Sequence, residues 1–176
     1  MCNIPHPSRR ATLGLLLGSA AAAALPARPV RADAAPIDLP PPGPRDTCPV
    51  CGMFVAKYPD WIATVVFADG TAAHFDGAKD FFKYLADVGK YAPGRRREDI
   101  TAMGVTDYYA VSRVAAEGAL YAVGSDVLGP MGHELVPLMN QTDADEFMRD
   151  HAGKRLLSFA EVAPELLSAL DQGKFE

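Results

Sequence analysis

Within 176 residues the same order of elements can be read twice, and this repeat constrains the fold more than any other feature. In the first pass Trp61–Phe67 is apolar and β-branched, Asp69-Gly70 is a hairpin signal, and Thr71–Phe75 returns as a second strand. Asp76 reads as the N-cap of a helix over Gly77–Val88, with Phe81, Phe82 and Leu85 as its apolar stripe and Gly89 as its stop. Ile100–Met103 and Tyr108–Arg113 then read as strands. In the second pass Ala119–Gly124 pairs with Leu135–Met139, Thr142 caps a helix carrying Phe147 and Met148, and Leu156–Phe159 is a further strand. Ala160–Leu170 closes the chain as an amphipathic helix. The expectation is an α+β fold with one unit over residues 47–113 and a second over 114–176.

The two passes differ in one loop. The first hairpin turns tightly at Asp69-Gly70, whereas the second swells to Ser125-Asp126-Val127-Leu128-Gly129-Pro130-Met131-Gly132-His133. Glycine and proline fix that backbone without bulk, which leaves Met131 and His133 on display. A long loop retained in a compact repeat points to function.

Ahead of the repeat, Ser8-Arg9-Arg10-Ala11-Thr12-Leu13 leads into an apolar run from Ala11 to Leu25, too short to span a bilayer. Residues 1–32 read as a twin-arginine-like export signal, cleaved after Val30-Arg31-Ala32. No lipobox cysteine closes the run, so a soluble periplasmic product without a membrane anchor is expected. Loss of Arg9, Arg10, Arg28 and Arg31 leaves 13 basic residues against 22 acidic ones, a net charge of −9. Such a surface argues against nucleic acid and anionic membranes as partners. Residues 33–46 hold five prolines and read as an extended tether.

The tether delivers Cys48-Pro-Val-Cys51-Gly-Met53, two thiols and a thioether within six residues. Thiolates and thioethers together select Cu(I), and thiolates alone suit zinc or iron–sulfur centres. A closed zinc site needs four ligands, and no second cysteine pair exists, so His or Met from elsewhere must complete the knuckle or leave it open. A thiol–disulfide role is the alternative, weakened because the pair does not precede a helix N-terminus that would lower a thiol pKa. A plain structural disulfide is a third. Met53 beside Cys51 and Met131 on its loop stand out as donors, with His133 nearby. Met103, Met139 and Met148 read as core, His74 as a hydrogen-bonding residue near the helix cap, and His151 as a helix-end residue. Asp107 with Tyr108 and Tyr109 could line a cleft, but no serine-hydrolase elbow, phosphate loop or His-Glu-x-x-His pair occurs, and the acids look scattered.

Four ordered motifs resemble the NosL family: Cys48-Pro-Val-Cys51-Gly-Met53, Phe75-Asp76-Gly77-Ala78-Lys79-Asp80, Val105-Thr106-Asp107-Tyr108-Tyr109, and Gly124 to Gly132. The resemblance implies a periplasmic Cu(I) metallochaperone serving nitrous oxide reductase, through a membrane-associated maturation complex. It also implies two ββαβ-type modules in tandem, related to organomercurial lyase. By position Cys51, Met53 and Met131 are the copper ligands it implies, with Cys48 an extra thiol and His133 ranked below Met131. The missing lipobox departs from many members. Competing readings are a periplasmic thiol oxidoreductase or lyase-like enzyme using Cys48 and Cys51, the latter needing an acid that no spacing commits, and a zinc-stabilised docking module.

Overall fold

The computed structural model describes Met1 and residues 33–175; the export-signal expectation over residues 1–32 lies outside that range apart from Met1. Strands β1 (Ala63–Phe67), β2 (Ala72–Phe75), β3 (Ile100–Thr106) and β4 (Arg113–Ala115) form an antiparallel sheet in the order β2-β1-β3-β4. Helices α1 (Ala78–Ala86) and α2 (Val88–Tyr91) fill the β2–β3 connection. A second antiparallel sheet has the order β8-β5-β9, from β5 (Leu120–Val123), β8 (Val136–Leu138) and β9 (Arg155–Ser158). Helix α3 (Gln141–Asp150) joins β8 to β9, and α4 (Pro164–Leu170) ends the chain. Between β5 and β8 the long loop makes a two-stranded hairpin of its own, β6 (Leu128–Gly129) with β7 (Gly132–His133). The fold is thus a mixture of helices and antiparallel sheets. In each sheet the first strand of the unit lies in the middle, the second on one side, and the strand after the helix on the other.

The β1–β2 turn is fixed by Asp69, whose Oδ1 accepts the Thr71 amide at 3.0 Å and hydroxyl at 2.6 Å, while Gly70 takes the left-handed conformation at φ +81°. One apolar core serves both sheets. Phe75, Phe81 and Tyr84 from the first unit pack with Tyr121, Val123, Leu157 and Leu167 from the second. Phe82 and Tyr121 meet edge-on at 4.9 Å between ring centroids across the boundary. A smaller cluster around Leu138, Ala144 and Phe147 lies under α3, with Met148 against it; Met103 and Met139 pack on the main core.

Residues 33–46 are extended and also docked. The Ala34 amide donates to Met139, Ile37 to Arg113 and Ala115 to Ala35, while the Arg113 guanidinium holds the Leu39 carbonyl at 2.6 Å. Ala34 and Leu39 are buried, so the segment straps the two units and hands the chain to the cysteine motif in a fixed place.

Three local expectations are corrected. Tyr108 to Ser112 is a turn, because the Asp107 carboxylate accepts the amides of Ala110 (2.7 Å) and Met139 (2.6 Å) in place of a strand ladder. Asn140, not Thr142, caps α3, its side chain accepting the Asp143 amide at 2.9 Å. The N-cap of α1 is Gly77, not Asp76, and no side chain from its own turn caps it. Glu134 of the second unit does that work, its Oε1 accepting the Lys79 amide at 2.5 Å. Asp76 is thereby released for another role.

Candidate metal centre

The Cys48–Met53 knuckle closes on itself. The Cys48 amide donates to the Met53 carbonyl at 2.8 Å and the Gly52 amide to the Cys48 carbonyl at 2.9 Å, with Thr47 and Phe54 bridging at its base. Gly52 sits at φ +80°, a conformation that costs glycine nothing and other residues strain. This turn lays both sulfurs against the start of α1. Cys48 is buried and Cys51 partly open.

Two carboxylates face them. The Cys51 thiol donates to Asp76 Oδ1 at 3.2 Å, and the Cys48 thiol to Asp80 Oδ2 at 3.5 Å. One donor atom from each of Cys48, Cys51, Asp76 and Asp80 lies within 4.8 Å of all the others. Asp76 is 1% exposed, and its second oxygen, Oδ2, is buried with no hydrogen-bond partner. No spacing in the sequence ties an acid to the cysteine pair; the fold places two beside it. Their signal was present in Asp76-Gly77-Ala78-Lys79-Asp80, where acids four apart straddle a helix start, but a cap explained Asp76 equally well.

Electrostatics keep the thiols protonated. Burial pushes the Cys51 thiol up to about 12, the Asp76 and Asp80 carboxylates add to the rise, and the Met53 amide opposes it. Burial drives Cys48 higher still, aided by Asp80. A redox nucleophile needs the reverse, a thiol pKa lowered by cationic surroundings. Both cysteines are free thiols, so no disulfide joins them in this structure.

The β6–β7 hairpin is drawn to the same corner. Glu134 is buried against Gly77 so closely that a Cβ there would collide with its carboxylate. Lys79, 2% exposed, donates its ammonium to the Met131 carbonyl at 3.2 Å and pairs with Asp171 at 3.1 Å. The Met131 side chain remains 47% exposed. So the hairpin bearing Met131 is tied to the residue next to Asp80. Met53 is half-buried and gives its carbonyl to the knuckle. His133 lies outside the Cys–Asp quartet, its ring edge-on to Phe175 with centroids 4.8 Å apart. His74 bonds Thr64 through Nδ1 at 2.9 Å, and His151 ends α3 beside Asp126 at 3.0 Å. Tyr108 and Tyr109 do line a groove of about 420 Å³ with Trp61 and His151, but Asp107 does not: it is buried, its carboxylate taken up by the Ala110 and Met139 amides.

The family model of NosL matches residues 41–167, a stretch that contains the knuckle, both aspartates and the Met131 hairpin. This chain belongs to the NosL family. Among solved structures, the copper chaperone NosL from Shewanella denitrificans superposes with a TM-score of 0.62 at 20% identity, over 73% of this chain and 97% of that one. At that identity the likeness speaks for the fold. No curated protein matches the chain. For this NosL-family chain the geometry offers a protected pair of thiols, two carboxylates beside them, and a methionine hairpin fastened alongside. Among the described residues no helix is long and apolar enough to cross a membrane.

Proposed function

We propose that this chain is an exported, periplasmic Cu(I) carrier that supplies copper for the copper–sulfur centre of nitrous oxide reductase, directly or through a membrane-associated maturation complex. The observation that carries the reading is the partly open Cys51 thiol at the start of α1, the helix whose Lys79 holds the Met131 carbonyl, in a chain of the NosL family. The cargo ion is held by Cys51, Met53 and Met131, with Cys48 as a reserve thiolate; His133 is a weaker candidate because it is engaged with Phe175. Soft sulfur donors exclude hard cations, and an exposed Met131 lets an acceptor's ligand enter before a donor leaves. Neutral thioethers limit the buried charge left behind on release. Copper is the cargo, so no catalysis is required of the chain. The same reading takes the two sheets, each with its first strand central, as tandem ββαβ modules. Residues 1–32 serve as the export signal, and residues 33–46 join it to the domain.

One observation gives the lyase-like reading a foothold. A cysteine pair needs a nearby acid for such chemistry, and Asp76 stands 3.2 Å from Cys51. Release of a hydrocarbon from a simple organomercurial would favour that reading.

The carrier reading is tested by titrating the reduced chain, with Cys2→Ser, against a colorimetric Cu(I) chelator without oxygen. One-to-one binding that is lost in Cys51→Ser and weakened about tenfold or more in Met131→Ala supports it. Failure to compete for Cu(I) sinks it.

A further inference from the structure

The aromatic groove of about 420 Å³ shares no residue with the metal centre, and three chain segments build it. Asp60 and Trp61 come from the turn before β1, Tyr108, Tyr109 and Val111 from the β3–β4 turn, and His151 from the end of α3. Its base is fixed. Tyr108 meets Phe147 edge-on at 5.0 Å and His151 at 5.6 Å between ring centroids, and its amide donates to the Pro137 carbonyl at 3.0 Å. The buried Asp107 carboxylate accepts the Ala110 and Met139 amides, which fastens the turn to the second unit.

What this fastened turn presents is apolar and open. Tyr109 is 43% exposed and Val111 54%. Val111 holds φ +49°, a conformation that β-branched residues avoid, while its side chain stays in solvent. Backbone strain of this kind clusters at binding and active sites. Tryptophan and tyrosine are also the residues that dominate binding hot spots.

Charge selects the occupant. Asp60 lines the groove. Partial desolvation raises the Tyr109 hydroxyl pKa, and Glu146, Asp150 and Asp143 add to the rise, which places the carboxylates of α3 around that ring. Arg149 is the cation set against them, 3.7 Å from Glu146 and 2.9 Å from Asp150, while His151 faces Asp126 at 3.0 Å. A ring face attracts a cation held within about 6 Å of its centroid, and guanidinium groups stack on such faces. Exposed Val111 offers apolar surface to the aliphatic stem that carries the guanidinium.

We propose that this groove is the docking site for an arginine-bearing, basic segment of a partner protein, with a guanidinium seated on Tyr109 and Trp61 beside Asp60. The proposal goes beyond the carrier reading and does not depend on it, because none of these residues belongs to the sulfur set.

Trp61 is the single tryptophan of the chain, so its emission reports on the groove itself. The reduced full chain is titrated with a short capped peptide of alternating arginine and serine, beside a glutamate–serine peptide of equal length. The arginine peptide should change Trp61 emission saturably, and the glutamate peptide should leave it unmoved. Tyr109→Ala and Asp60→Asn, both at exposed positions, should each weaken binding about fivefold or more with the urea midpoint unchanged. Emission that the arginine peptide does not move overturns the proposal. So does equal binding of the glutamate peptide, or parental affinity in both variants. Emission that changes with protein concentration alone, together with a dimer in sedimentation that Tyr109→Ala abolishes, would assign the groove to a second copy of this chain and overturn the basic partner.

Discussion

The Lys79 ammonium donates to the backbone carbonyl of Met131 at 3.2 Å, linking the first turn of α1 to the hairpin of the second unit. Through this bond the residue adjoining Asp80 sets where the Met131 loop sits. Lys79→Met should therefore act on the hairpin more than on the knuckle. We expect Cu(I) affinity to fall about tenfold and stability by about 1–3 kcal/mol, since the hairpin loses the buried donor that holds it and Asp171 loses a charge partner. Chelator competition and urea unfolding of the same variant read the two effects.

Gly77 is required by proximity rather than by backbone conformation. A methyl at this position would press on the Glu134 carboxylate that caps α1. Gly77→Ala should destabilise the protein by about 1–3 kcal/mol, seen as an earlier urea midpoint with an unchanged slope. Relief of the clash in Gly77→Ala/Glu134→Ala would show as a cost smaller than the sum of the single changes.

Glu134 also makes stability depend on pH. Burial raises its carboxyl from an ordinary 4.5 to about 8, against the Leu135 amide and the Lys79 ammonium and amide. A group with a raised folded value binds its proton more tightly in the native state. Its contribution is complete below about pH 4.5 and is lost as pH rises through about 8. Urea unfolding between these limits should show stability declining with pH, and Glu134→Gln should flatten the slope.

Val111 is a β-branched residue at φ +49°, half-exposed in the turn after β3. The left-handed region costs a non-glycine residue about 1–2 kcal/mol, partly offset by the greater chain entropy that glycine loses. Val111→Gly should raise stability by about 0.5–1 kcal/mol, measured as a higher urea midpoint. The metal centre should be untouched.

Strand and helix order was legible in the sequence because the signals were local. The β-branched run Ala63–Phe67, the Asp69-Gly70 turn and the Phe81–Phe82 stripe each act within a few residues. The cysteine knuckle was legible for the same reason. Asp76 and Asp80 were not, because what distinguishes them from ordinary helix-start acids is a partner about 30 residues away: Cys51 for the one and Cys48 for the other. Likewise Asp76 reads as the α1 cap because the true cap, Glu134, lies 55 residues from the amide it accepts. The turn at Tyr108–Ser112 was hidden for a different reason. Its residues favour strands, and only the buried Asp107 carboxylate overrides them.

The most direct measurement is X-ray absorption at the copper edge on the Cu(I)-loaded chain with Cys2→Ser, beside its Met131→Ala variant. The expected spectrum is that of a two- or three-coordinate ion surrounded by sulfur, with one sulfur scatterer lost in the variant. A first shell dominated by oxygen or nitrogen, or one identical in Met131→Ala, would contradict a site that joins Cys51 to the Met131 hairpin.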